Sequence, residues 1–358
     1  MRATFLIVVL AGACALADAR PAGQPAAALQ ITAVDGIKVG HHTLTERPTG
    51  CTVVLAEAGA VGSVEVLGGA PGTTETDLLA SENLVDQVHA VFMSGGSAFG
   101  LDVAGGVRRY LSEKKVGFEF GGAYVPIVPG AIIFDLPVGG RPDIRPGADC
   151  GYAAAKAAAS GAVAEGNVGA GAGATVGKFL GRGRAMKGGV GSAALRLPSG
   201  LVVGAFATVN AAGSVIDPAT GQVVAGARTA DGSGLENVRG IIRGARLPQP
   251  PAPESADAPS PMNTTVVIVA TNAKLTKAQA NAVAKMAQAG LARAVMPVYT
   301  LVDGDTVFVL APGTWEGSVD VSAIGALGAE AVSDAILRGV RAATGIPGFP
   351  AARDLARR

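Results

Sequence analysis

The sequence predicts a mixed α/β fold in which strands and helices are interleaved without strict alternation. Three observations carry that expectation. The chain has 358 residues and is 49% hydrophobic, enough to bury a large core, and one compact domain is the simplest division. Its 52 glycines follow no Gly-X-Y period, so they point to tight turns and close backbone approaches, not to a helical bundle or collagen. Runs of β-branched residues and runs of helical spacing succeed one another along the whole chain.

Ile31 to Thr43 and Cys51 to Ala56 are β-rich, separated by the turn-like stretch Glu46 to Gly50, and read as paired strands. Thr76 to Val88 has helical spacing. So does Ser97 to Lys114, where Phe99, Val103, Val107 and Leu111 recur every four residues and should share one face. His89 to Met93 between them reads as a short buried strand. Tyr152 to Ser160 is Ala-rich and helical, and Gly188 to Asn210 alternates strand-like runs with Gly and Pro-Ser-Gly turns. Thr264 to Ala270 is an intense run of Thr, Val and Ile that should be a central strand. Thr276 opens a helix in which Gln279 completes a capping box, with Val283, Ala287, Leu291 and Ala294 on the inner face. Thr306 to Leu310 reads as a strand and Val319 to Ala343 as a long Ala-rich helix.

Two segments stand apart from this pattern. At the N-terminus, Arg2, the apolar stretch Phe5 to Leu16 and the small residues of Ala15-Leu16-Ala17 read as a signal peptide, residues 1–17, too short to span a bilayer. Ala17-Asp18-Ala19 offers a second cut. This implies export to the periplasm or medium, with no membrane association after removal. Before the Thr264 strand, Pro248, Pro250, Pro251, Pro253, Pro259 and Pro261 crowd residues 246–262 with almost no large apolar side chain, so this segment reads as an exposed linker. An oxidising compartment permits a disulfide between Cys51 and Cys150, and two buried thiols fit the sequence equally well.

Charge and aromatic content limit the partners. Only 16% of residues are charged and the net charge is +1, so there is no field to draw nucleic acid or an anionic membrane. Aromatic residues make up 4% of the chain, too few for recognition built on stacking. A small, weakly charged molecule is the expected partner. The three histidines, His41, His42 and His89, form no nucleophile–base pattern, and no Gly-x-Ser-x-Gly elbow occurs. No cluster of His, Cys and carboxylates has zinc spacing, so neither metal nor other cofactor is expected. The glycine-rich segment Gly166 to Lys178 fails as a phosphate loop: Ala172 stands where a glycine is needed and Phe179 where a hydroxyl must follow the lysine.

Asn263-Thr264-Thr265 is the most suggestive remaining feature. A hydroxyl residue that opens a central strand directly after a linker suits an N-terminal nucleophile. Its hydroxyl would attack the preceding carbonyl, and water would release an α-amine able to act as base for that same hydroxyl. The alternative is that Thr264 and Thr265 are ordinary strand residues. Lys178, Asn210 and Asp303-Gly304-Asp305 likewise admit plain readings, as a surface lysine, a turn residue and an Asp-Gly turn that supplies positive φ.

These segments together resemble the DmpA-type aminopeptidases and, more closely at the reactive positions, the nylon-oligomer hydrolases of the same superfamily. The resemblance spans nearly the whole chain after the leader. It rests on Val34 to His41, Arg47-Pro48-Thr49-Gly50, Gly68 to Gly72, Ser94 to Leu101, the Lys178 loop, Lys187 to Gly191, Asn263-Thr264-Thr265 and Asp303 to Thr306. It implies an αββα sandwich, also shared with ornithine acetyltransferases, and a chain cut between Asn263 and Thr264. The fragments, residues 18–263 and 264–358, would stay together and form homo-oligomers, tetramers among them. Thr264 would be the nucleophile, Asn210 the oxyanion donor, Lys178 the lysine of the nylon-oligomer group, and Asp303 with Asp305 the paired carboxylates. The implied substrates are short peptides, β-peptides, amino-acid amides or linear ω-amide oligomers. The aminopeptidase branch carries Ser at the nucleophile, Ser and Glu at the last two places, and an aromatic near the substrate amine with no clear counterpart here between Val125 and Asp135. The alternatives are an acyltransferase of the ornithine-acetyltransferase type and a non-catalytic small-molecule-binding protein.

Overall fold

A computed structural model describes residues 29–245 and 263–355; the expected leader and proline-rich linker fall outside the described residues. Nine strands form one sheet: β1 (Lys38–Thr43), β2 (Gly50–Val66), β3 (Thr73–Thr74), β4 (Gln87–Ser94), β5 (Gly130–Ile132), β6 (Gly189–Arg196), β7 (Val202–Asn210), β8 (Thr264–Thr271) and β9 (Thr306–Ala311). Their order is β6-β7-β8-β9-β2-β4-β5-β3, with β1 also paired to β2. The four principal helices are α1 (Val103–Glu113), α2 (Ala148–Lys156), α3 (Lys277–Ala294) and α4 (Val321–Ala342).

The 17-residue β2 is what turns this one sheet into two layers. Its first half pairs with β1 and β4, its second half with β9, and the register shifts between Leu55 and Ala60. The side chains then sort by parity, as alternation along a strand requires. Val54, Val91 and Met93 from one half meet Phe206, Val266, Ile268, Phe308 and Leu310 from the other in an inner core. Val53, Leu55, Ala90 and Phe92 face outward onto α1 and α2. On the opposite outer surface Val267, Val269, Val307 and Val309 face α3 and α4. Helix, sheet, sheet and helix are the four layers, the αββα sandwich expected. Among the described residues, no helix is long and apolar enough to cross a membrane.

Most expected elements form. The Thr264 strand is fully buried and central, antiparallel to β7 and parallel to β9. Thr276 and Gln279 make both bonds of the capping box on α3, and the four inner-face residues are fully buried. Cys51 of β2 and Cys150 of α2 form a disulfide that ties the outer helix to its sheet.

Four expectations need correction. Thr76 to Val88 is not a helix: a three-residue 3-10 turn, Asp77–Leu79, precedes turns and then β4. The carbonyls of Leu78, Asn83 and Val85 are taken by the ammonium of Lys277, 192 to 199 residues further along the chain, a partner that local spacing does not reveal. Ile31–Ala33 is a 3-10 turn, and the strand begins only at Lys38, after Gly36 at φ +88° has redirected the chain. Phe99 does not share the buried face of α1; it lies in the 3-10 segment Ser97–Asp102, half exposed beneath the Arg145 guanidinium. The helix expected over Tyr152 to Ser160 starts earlier, at Ala148, and is capped at Ala157.

Candidate active site

Three strand ends meet where the inner core reaches the edge of the sandwich. Asn210 closes β7 and Thr264 opens β8, and the antiparallel register places the two directly opposite each other. Because β8 and β9 run parallel, the Asp303-Gly304-Asp305 turn that leads into β9 arrives beside Asn263 and Thr264. All six residues are buried, with Thr264 3% and Asn210 0% exposed.

The Thr264 hydroxyl is turned back and donates to the carbonyl oxygen of Asn263. The same oxygen accepts the Gly304 N–H at 2.8 Å. A carbonyl that faces a hydroxyl and is polarised by a fixed backbone donor is arranged for addition. Gly304 does not have a left-handed φ. Its glycine is required by space: a Cβ would lie 2.8 Å from Thr264 Oγ and 2.7 Å from the Ala70 carbonyl oxygen. The positive-φ reading of this Asp-Gly pair is therefore corrected.

The two carboxylates are spent on positioning. Asp305 accepts the N–H groups of Thr265 (2.7 Å) and Tyr299 (3.0 Å). Asp303 accepts the Ala212 N–H at 3.1 Å and the Thr300 hydroxyl. Burial, reinforced by Asp303, raises the Asp305 pKa to about 7. Gly68 lets the preceding segment close over this turn, since a Cβ there would meet the Asp305 nitrogen at 2.3 Å.

Lys178 reaches the site through Asn210. Its Nζ donates to Asn210 Oδ1 (2.8 Å), to the Asn210 carbonyl (2.8 Å) and to the Thr175 carbonyl (2.9 Å). The Thr175 N–H also donates to Asn210 Oδ1, at 3.0 Å. The donors on Oδ1 fix the amide's orientation and leave Nδ2 as its donor end, with one N–H donating to the Phe134 carbonyl at 3.4 Å. Burial holds the Lys178 pKa well below its ordinary value; Asp303 opposes that shift and Arg182 adds to it.

Behind Phe134 stands a fully buried ion pair, Arg47 with Asp135 at 3.0 Å. Asp135 also accepts the Thr49 hydroxyl (2.7 Å) and the Gly96 N–H (2.8 Å). A Cβ on Gly95 or Gly173 would fall 2.2 or 2.4 Å from Asp135 Oδ2. The Arg47, Ser94 and glycine-rich motifs thus converge on one carboxylate that sets the backbone beside Asn210.

A sequence model for peptidase family S58 matches residues 30–353. The chain belongs to that family. An S58 chain is a hydrolase of amide bonds, of the aminopeptidase and amidohydrolase kind, and the acyltransferase and binding-protein alternatives give way to that reading. An uncharacterized aminopeptidase of Mycobacterium tuberculosis is 42% identical over 356 residues, covering 91% of this chain and 97% of the relative. A 6-aminohexanoate-oligomer endohydrolase of Agromyces is 30% identical over 314 residues, covering 84% and 83%. Among solved structures, a Burkholderia beta-aminopeptidase superposes with a TM-score of 0.65 at 24% identity, covering 94% and 96%. The L-aminopeptidase D-Ala-esterase/amidase of Ochrobactrum anthropi, described as a variant of the Ntn hydrolase fold, gives 0.64 at 18% identity, covering 93% and 94%. These two likenesses bear on the fold.

In this S58 chain the structure gathers Thr264, Asn263, Asn210, Lys178, Asp303 and Asp305 into one neighbourhood. Sequence reasoning missed Gly304, Thr175 and Phe134. Gly304 and Thr175 act through backbone groups, which leave no side-chain signature. Phe134 lies inside the stretch read as lacking an aromatic at the site, and nothing in the local sequence marks it.

Proposed function

We propose that the chain cuts itself between Asn263 and Thr264 and then hydrolyses short linear amides through an acyl ester on Thr264. The observation that carries this is the Thr264 hydroxyl lying on the Asn263 carbonyl, whose oxygen already accepts from Gly304. In the first event Thr264 Oγ adds to the Asn263 carbonyl carbon, with Gly304 N–H stabilising the oxyanion. The Oγ proton moves to the Thr264 nitrogen as the C–N bond breaks, and water hydrolyses the resulting ester. Asn263 ends as a carboxylate and Thr264 as a free amine.

In turnover that amine takes the Oγ proton while Oγ adds to a substrate amide. Asn210 Nδ2 serves as oxyanion donor, kept in orientation by Lys178 and Thr175. The leaving nitrogen receives the proton, and water then frees the acyl group. Asp303 and Asp305 hold the strand mouth in register, and Asp305 above about pH 7 carries the charge that favours an ammonium nearby. Short peptides, β-peptides, amino-acid amides and ω-amino-acid oligomers are the candidate substrates, the last supported by the name of a relative 30% identical to this chain. Export by the leader and assembly of the cut chain into oligomers belong to the same reading.

Acid-quench mass spectrometry tests it. Protein mixed with a β-peptide or an aminohexanoate oligomer should yield a fragment beginning at Thr264 that carries the acyl mass. Hydrolysis with the acyl group on any other residue would overturn the assignment.

A further inference from the structure

Arg182 is the one guanidinium bordering the site whose charge the described residues leave unanswered. It is half-buried and stacks over the Phe134 ring, its central carbon 5.3 Å from the ring centroid. Among the described residues no carboxylate bridges it and no acceptor receives its N–H groups. Its neighbours are spent otherwise: Arg184 pairs with Glu236 at 3.3 Å, and Arg228 donates to the carbonyls of Gly183 and Arg184. Burial lowers the Arg182 pKa from its ordinary value, so the charge is held at a cost that an anion would relieve.

The recess it borders explains what that anion would be attached to. Phe134, Pro137, Val138 and Phe349 form the apolar walls of this small recess of about 20 Å³; no carboxylate lines it, and because the Lys178 Nζ is already spent on three oxygens, Arg182 is its one available cation. Phe349 is also a wall of a neighbouring cleft of about 940 Å³, which Arg228, Arg353 and Asp354 line as well. A substrate ammonium would meet like charge here, whereas a carboxylate would meet a planar fork matched to its two oxygens. Phe134 gives the scale. Its carbonyl lies 3.4 Å from Asn210 Nδ2 and its ring centroid 5.3 Å from the Arg182 guanidinium carbon, so a single residue stands between the oxyanion donor and the guanidinium.

We propose that Arg182 is the subsite for a substrate carboxylate, and that preferred substrates are short linear amides whose departing fragment ends in a free carboxylate about one residue from the cleaved bond. This rests on the acyl-Thr264 reading. When Oγ forms its ester the C–N bond breaks, the proton goes to the leaving nitrogen, and everything on the carboxyl side departs as an amine. A recognised terminal carboxylate therefore belongs to that departing amino acid.

The test compares one linear dimer as its free acid and as its terminal N-methylamide, following the same internal bond by mass spectrometry. Cut wild-type protein, Arg182→Gln and Arg182→Lys are assayed. The wild type should favour the acid in kcat/KM by about 10- to 100-fold, mainly through KM. The ratio should fall close to one in Arg182→Gln and take an intermediate value in Arg182→Lys. Equal use of acid and methylamide by the wild type overturns the subsite whatever the variants do. So does an acid preference that survives in Arg182→Gln. Hydrolysis of either substrate by Thr264→Ala would instead overturn the nucleophile assignment, so the two failures are distinguishable.

Discussion

At the scale of single residues, what distinguishes Thr264 is its company of fixed donors. Lys178 and Thr175 both donate to Asn210 Oδ1, so the amide cannot turn over without losing two bonds. Asn210→Ala should lower turnover by roughly 100- to 1,000-fold, measured as kcat on a β-peptide, and should also lower the unfolding midpoint, because the buried Thr175 N–H and Lys178 Nζ lose their shared side-chain acceptor. Gly304→Ala should act earlier. A Cβ 2.8 Å from Thr264 Oγ and 2.7 Å from the Ala70 oxygen displaces the hydroxyl from the Asn263 carbonyl. Chain cutting followed by electrophoresis should then slow by at least about tenfold, since even a small misplacement of reacting groups is costly. Cutting at the wild-type rate in Gly304→Ala would contradict the claim that this position has no room for a Cβ.

At the scale of elements, local signals were legible where local chemistry decides the outcome. The α3 cap is written in Thr276 and Gln279, and Thr276→Ala should cost about 1 kcal/mol in a denaturant titration. The run from Thr264 reads as a buried strand because β-branched residues continue on both faces, and both faces are indeed covered. Residues 76–88 were misread because their backbone carbonyls are bound by Lys277, far along the chain. The Arg47–Asp135 pair could not be read as a pair at all, though each residue lies in a recognisable motif. Asp135→Asn leaves the Arg47 charge buried without its counter-ion and should destabilise the fold by about 3–5 kcal/mol, measured by urea unfolding.

At the scale of the whole molecule, the motifs pointed to αββα layering, and the bend in β2 explains how a single sheet provides both inner layers. That Thr264, Asn210, Lys178, Asp303 and Asp305 share one neighbourhood was legible in sequence through the resemblance; their backbone partners were not, because any residue offers an N–H or a carbonyl. The buried strand mouth also sets a global pH dependence. Asp305 titrates at about 7 when folded, against an ordinary 3.8, because it is buried and lies beside Asp303. Between those values the folded chain keeps a proton that the unfolded chain has lost, so this group's contribution to stability falls as pH rises from about 4 to about 7 and is level above. In an uncut Thr264→Ala background, Asp305→Asn should flatten that decline in urea midpoints.

The intact mass of the purified protein tests the central claim most directly. The wild type should resolve into two associated fragments, one ending at Asn263 and the other beginning at Thr264, and Thr264→Ala should remain a single chain without hydrolytic activity. A wild type that stays whole yet hydrolyses amides, or a Thr264→Ala protein that is cut at the same bond, would contradict it.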